Sequence, residues 1–179
     1  MKRLLLVLLM VVFLPACGEK QLRKTLIAFE ESTIVFPKTL LLLKQGRLTD
    51  STLVNNSYRF IIYIPPTECS TCRINHLSED AELFELASQC LFDLCVIFSP
   101  EQEELPSLIN DLNLLSYDYP IWLDSQSEFY QTNSPSIPSD QRFHYFLIDS
   151  EGHPVLVGNP ARSPKIKNLL INLLHYEEK

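Results

Sequence analysis

The chain lacks a basic excess, an apolar run long enough to cross a bilayer, and a second CxxC motif. Its 15 Lys and Arg face 22 Asp and Glu, for a net charge of −7. Phosphate binding needs a basic face, so nucleic acid is excluded as a partner. The apolar run of residues 4–14 falls short of the roughly 20 residues that a spanning helix requires. With Cys69-Ser70-Thr71-Cys72 as its single CxxC, the chain has no ready set of four ligands for a structural zinc. No repeat is visible, and the one biased tract is a Ser/Pro patch near Pro135. Hydrophobic residues make up 46% of the sequence, enough for a core, which excludes a disordered chain. The length suits one domain.

What is present begins with an address. Lys2 and Arg3 precede the apolar run, which ends in Leu14-Pro15-Ala16-Cys17. A basic start, a short apolar core and a small residue before cysteine read as a secretory signal, and the last four residues resemble a bacterial lipobox. Residues 1–16 are therefore expected to be a lipoprotein signal peptide, with Cys17 lipidated and residues 17–33 a tether or a short helix. Several acyl chains on one residue anchor stably, where a single chain does not. Gly18 follows Cys17 in place of the Asp that resembles an inner-membrane retention signal, which points to the outer membrane. The expected location is the cell envelope, lipid-anchored and facing the periplasm. Loss of Lys2 and Arg3 makes the remaining chain still more acidic.

The folded part is expected to span residues 34–179. Ile34-Val35-Phe36-Pro37 and residues 40–43 read as a strand and turn, and residues 45–56 as a loop. Residues 58–64 form a continuous β-prone run, as in a strand buried on both faces. Ile74, Leu77, Ala81, Phe84 and Ala87 recur at helical spacing, with Ser78-Glu79-Asp80 as a second helix start or a bend. Residues 92–98 read as another central strand. Ser99-Pro100 reads as the N-cap and first position of a helix to about Leu114, with an irregularity at Pro106. Residues 119–123 form a short strand and residues 125–131 a helical turn or two. Residues 143–149 and 154–158 make a hairpin across Gly152. Ser163 caps a last helix striped by Ile166, Leu169, Leu170, Leu173 and Leu174. Alternating strands and helices predict an α/β fold with a central, mostly parallel sheet, an antiparallel hairpin at one side and helices on both faces.

Cys69-Ser-Thr-Cys72 sits between a strand and a helix, where a CxxC has the spacing of a redox pair. Together with Tyr119-Pro120-Ile121-Trp122-Leu123-Asp124, Phe146-Leu147-Ile148-Asp149 and the Glu151-Gly152 turn, it resembles the thioredoxin-like superfamily. The chain is most similar to periplasmic thioredoxin-like lipoproteins of Bacteroidetes; Ile34-Val35-Phe36-Pro37 and Val155-Leu156-Val157-Gly158-Asn159-Pro160 also look like theirs. The resemblance covers roughly residues 34–176 and implies a thioredoxin-like fold. Two positions depart from the family's pattern. Glu68 stands where a Trp usually precedes the first cysteine. Phe143 or His144 stands where a cis-proline usually opens the hairpin strand, Pro138 being too far upstream.

At the start of a helix, Cys69 would meet backbone N–H groups and the positive end of the dipole, which favour a thiolate. Cys72, one turn on, would resolve a mixed disulfide on Cys69. Glu68 works against this, because a nearby carboxylate disfavours the thiolate. The resemblance places Tyr63 and His144 near the pair, where either could tune it. The favoured reading is thiol–disulfide exchange with envelope proteins that carry disulfides or thiols. Its competitors are a structural disulfide that never cycles, a thioredoxin-fold binding module without catalysis, and a zinc or copper carrier using Cys69, Cys72 and His76. No cofactor is implied. Cys90 and Cys95 are too far apart along an extended chain to bridge, so Cys95 reads as a core residue and Cys90 as a free thiol. Trp122 reads as core.

Overall fold

The computed structural model describes residues 18–44, 47–50, 58–89, 92–114 and 119–176. Residues 1–16, Cys17 and Cys90 lie outside the described residues. Among the described residues, seven strands form one sheet: β1 (Leu41–Lys44), β2 (Arg47–Asp50), β3 (Arg59–Ile64), β4 (Asp93–Phe98), β5 (Ile121–Leu123), β6 (Tyr145–Ile148) and β7 (Pro154–Val157), in the order β2-β1-β5-β4-β3-β6-β7. Helices α1 (residues 18–30), α2 (Ser70–His76), α3 (Ala81–Ser88), α4 (Leu105–Leu114), α5 (Glu128–Asn133) and α6 (Pro164–Tyr176) cover its two faces. Among the described residues no helix is long and apolar enough to cross a membrane.

The α/β fold class stands as expected, with one correction: the sheet is mixed. Only β3–β4 and β4–β5 run parallel, while the other four pairings are antiparallel. The parallel centre is the part buried on both faces, and its strands are continuous apolar runs. Side chains alternate along β3, so Phe60, Ile62 and Ile64 enter one core and Ile61 and Tyr63 the other. The first core is closed by Ile74 of α2, Leu83 and Phe84 of α3, Leu108 and Leu112 of α4, and Leu170 and Leu174 of α6. The second is closed by Phe29 of α1 and Phe129 of α5. Each fully buried side chain of this size contributes about 1.5–3 kcal/mol relative to exposure.

Several local expectations change. The segment before residue 34 is a helix docked on the sheet. Leu22, Leu26 and Phe29 form its inward stripe, and Phe29 meets Phe146 edge to face at 5.1 Å. Ile34 and Val35 do not form a strand; their backbone is held one residue at a time. Ile34 N–H donates to Gly152 O (2.9 Å) and Val35 N–H to Asn133 Oδ1 (2.8 Å). Gly152 has φ +90°, and a Cβ there would lie 2.8 Å from Ile34 O, so a side chain is excluded twice over. Residues 47–50, read as loop, are an edge strand whose Leu48 is exposed; a polar, half-solvated edge gives no apolar alternation to read.

Ser99 is not a helix cap. It is fully buried, and its hydroxyl donates to Asp124 Oδ2 at 2.9 Å. Asp124 in turn accepts the N–H groups of Phe129 and Tyr130 and so caps α5. Helix α4 starts at Leu105, which leaves Pro106 in the first turn where its missing N–H is harmless. Leu169 of α6, expected in the buried stripe, is 43% exposed. The expected bend at residues 78–80 is present as a 3-10 turn (Leu77–Asp80) between α2 and α3. It shifts the helical phase, so that Leu83 is buried in place of Ala81.

Candidate functional site

The loop after β3 delivers Cys69 to the start of α2. Pro65 O accepts the N–H of Glu68 at 3.0 Å, closing a turn, and Cys69 then takes the N-cap position with extended backbone. Its Sγ accepts the Cys72 N–H at 3.2 Å, and its carbonyl accepts the Arg73 N–H at 3.0 Å. Cys69 and Cys72 are disulfide-bonded with their Cα atoms 5.3 Å apart, within the range such bridges use. Both cysteines are exposed, while Ser70 and Ile74 turn inward and fix the helix to the sheet. A sulfur that is reachable from solvent and already accepts a backbone N–H can carry negative charge once the disulfide opens.

Glu68 precedes Cys69 in the chain and lines the same cleft, but it is not a bare carboxylate. His144 Nδ1 lies 2.6 Å from Glu68 Oε1, and its Nε2 lies 3.1 Å from Pro138 O. The His144 ring is buried, 5% exposed, and packs edge to face on Tyr63 with centroids 5.7 Å apart. Of the two residues expected at the entrance of the hairpin strand, His144 is the one that faces the site. Its carbonyl accepts the Tyr63 N–H at 2.8 Å, joining the hairpin entrance to the end of β3. Phe143 points into the second core instead. Tyr63 is buried there too, and burial pushes its phenol above the ordinary range.

A polar cleft of about 520 Å³ opens over the disulfide, lined among others by Thr67, Glu68, Arg73, His76 and Arg162. Its charged walls are paired. Arg73 donates to fully buried Asp80 at 2.9 Å and lies over the Tyr145 ring at 5.0 Å. Asp80 also accepts from Tyr145 Oη at 2.8 Å and Asn159 Nδ2 at 2.9 Å. Burial raises the Asp80 carboxyl, against the opposing pull of Asn159 and Arg73. Arg162 and His76 both meet Glu79, and the His76 contact holds the Glu79 carboxyl below its usual range.

His76 is an exposed partner of Glu79 at the rim of the cleft. Among the described residues no group of three or more His, Cys, Asp or Glu side chains is placed to hold a metal ion. Cys95 is fully buried in the second core, as expected, and burial pushes its thiol up to about 12. Trp122 is core, as expected.

Two features escaped the sequence reading. The Asp80 cluster gathers partners 65 and 79 residues downstream. An acidic residue spaced with the apolar stripe of a helix was the one available signal. The Glu68–His144 contact spans 76 residues, and only the two departures from the family's pattern, taken as a pair, pointed to it.

The disulfide at the start of the helix after a central strand, with an antiparallel hairpin and a last helix downstream, is a thioredoxin-like arrangement. No family model and no curated protein matches the sequence. Among solved structures, the chain is similar to an uncharacterized thioredoxin-like protein from Porphyromonas gingivalis, determined in solution. The two share 16% identity and align with a TM-score of 0.44 over 81% of this chain and 95% of that one.

Proposed function

We propose that this chain exchanges thiols and disulfides with proteins of the cell envelope through Cys69 and Cys72. The observation that carries the reading is the environment of one atom. Cys69 is exposed and sits at a helix N-cap, and its Sγ accepts the Cys72 N–H at 3.2 Å. In the reduced protein, the Cys69 thiolate attacks one sulfur of a substrate disulfide. The S–S bond breaks, the distal substrate sulfur leaves as a thiolate, and a mixed disulfide forms on Cys69. Cys72 then attacks Cys69 Sγ, closes the intramolecular disulfide and releases the second substrate sulfur. Two electrons pass to the substrate, and the two protons of the cysteine thiols end on the substrate thiols. A partner dithiol returns the pair to the reduced form. Run backwards, the same steps oxidise a substrate dithiol.

The lipobox-like Leu14-Pro15-Ala16-Cys17 supports attachment to a membrane through lipid on Cys17, and Gly18 supports the outer membrane. Incorporation of labelled fatty acid into the full chain, lost in Cys17→Ala, tests the anchor. The exchange reading is tested by reduction of a disulfide-bonded peptide with dithiothreitol as the donor. Wild type is expected to accelerate the reaction and Cys69→Ser to abolish the acceleration. Equal rates with and without wild-type protein would overturn it.

A further inference from the structure

The Glu68–His144 contact has a fixed proton count. Pro138 O only accepts, so the 3.1 Å contact to Nε2 requires a hydrogen on Nε2. The 2.6 Å contact between Nδ1 and Glu68 Oε1 requires a second one, on the ring or on the carboxyl. With either placement the couple carries no net charge. Its two members belong to different parts of the fold: Glu68 to the loop that delivers Cys69, His144 to the entrance of β6.

The surrounding charges are largely engaged elsewhere, although Arg73 across the cleft is also attracted by the Glu68 carboxylate. Across the cleft, Arg73 is engaged by Asp80, and Arg162 and His76 by Glu79. On the turn before β6, Arg142 is engaged by Asp140, whose carboxyl it holds down to about 2. On the core side, His144 shares a pocket with the phenols of Tyr63 on β3 and Tyr130 on α5. His144 is the side chain in hydrogen-bond contact with the Glu68 carboxyl, which lines the same cleft as Cys69.

We propose that Glu68 and His144 act as one proton-sharing couple that anchors the cysteine loop to the hairpin entrance and cancels the carboxylate charge beside Cys69 Sγ, making His144 a positioning residue of the exchange reaction. The proposal rests on the exchange reading of Cys69 and Cys72. Without the ring, Glu68 becomes a bare carboxylate in the cleft that Cys69 also lines, and a nearby like charge disfavours the thiolate. Without Glu68 as well, the charge is gone and the penalty with it.

The test is the pH dependence of Cys69 alkylation in the reduced full chain, read on the Cys69 peptide so that other thiols do not contribute. His144→Gln is expected to move the midpoint up by about one pH unit, and adding Glu68→Gln to it is expected to bring the midpoint back. A midpoint unchanged in His144→Gln, or a shift equally large with and without Glu68, overturns the proposal. If His144→Gln does not fold, the wild type and Glu68→Gln decide. Glu68→Gln alone is expected to leave the alkylation midpoint where the wild type has it. A midpoint that falls by about one pH unit shows an uncancelled carboxylate acting on Cys69 and overturns the proposal. Failure here is distinct from failure of the exchange reading. A protein that reduces disulfides with no coupling between the two residues refutes only the couple. A coupled midpoint without exchange activity refutes the exchange reading instead.

Discussion

Cys69 Sγ accepts the backbone N–H of Cys72 at 3.2 Å while the two residues are joined as a disulfide, and both remain exposed. The asymmetry assigns the roles. On the exchange reading proposed above, the N-cap sulfur that receives the hydrogen bond is the nucleophile and the sulfur one turn on is the resolving group. Cys72→Ser is therefore expected to accumulate a stable mixed disulfide between Cys69 and a disulfide-bonded peptide, and Cys69→Ser is expected to accumulate none. Mass spectrometry of the trapped adducts reads both. Adducts on Cys72 alone would reverse the assignment.

Asp80 gathers three donors, from Arg73, Tyr145 and Asn159, at a fully buried carboxylate. Asp80→Asn removes the charge that pairs with Arg73 and turns an N–H toward groups that donate to the carboxylate. The expected loss is about 3 kcal/mol in urea unfolding, the range for a broken buried ion pair. The wild-type carboxyl is raised above its ordinary 3.8 by burial. Its contribution to stability is therefore fully present below 3.8 and falls as the pH rises through the raised value. Asp80→Asn should lack that fall, and an unchanged pH dependence would refute the assignment.

Asp140 has the opposite sign. Arg142 holds its carboxyl down to about 2. The stability it contributes is present above the ordinary 3.8 and is lost as the pH falls toward 2. The pair is solvent-exposed, so Asp140→Asn should cost only about 0.5 kcal/mol at neutral pH after screening. The difference from wild type should vanish in acid unfolding curves below the lower value.

Phe29 ties α1 to the sheet, 1% exposed and edge-on to both Phe143 and Phe146. Phe29→Ala is expected to cost about 3–5 kcal/mol, lowering the urea midpoint. A helix acting only as a tether would show no such loss.

Cys95 is fully buried with its thiol at about 12. In the folded protein it should resist alkylation at neutral pH and react only on unfolding, with the same urea dependence as the fluorescence of Trp122. Reaction in the native state would remove it from the core.

The parts of the fold that were legible in the sequence are those written in contiguous residues. β3 and β4 are unbroken apolar runs, the CxxC follows one of them directly, and the β6–β7 hairpin is marked by Gly152. What was not legible depends on residues far apart in the chain. Ser99 reads as a helix cap by every local signal, yet its partner Asp124 lies 25 residues on and claims its hydroxyl. β2 is polar because its edge faces solvent, so it carries no strand pattern. Helix α1 has a sparse stripe whose meaning appears only when Phe143 and Phe146 are placed beside it. At the site, Cys69 and Cys72 were legible through their spacing, whereas Glu68 read as an opposing charge because its partner enters from the hairpin.

The reduction potential of the Cys69–Cys72 pair, measured by equilibrium with glutathione, tests the central claim most directly. A pair that exchanges should lie above about −300 mV, among the potentials of working dithiols. A value below about −300 mV, where structural disulfides resist reduction by the glutathione pool, would contradict it.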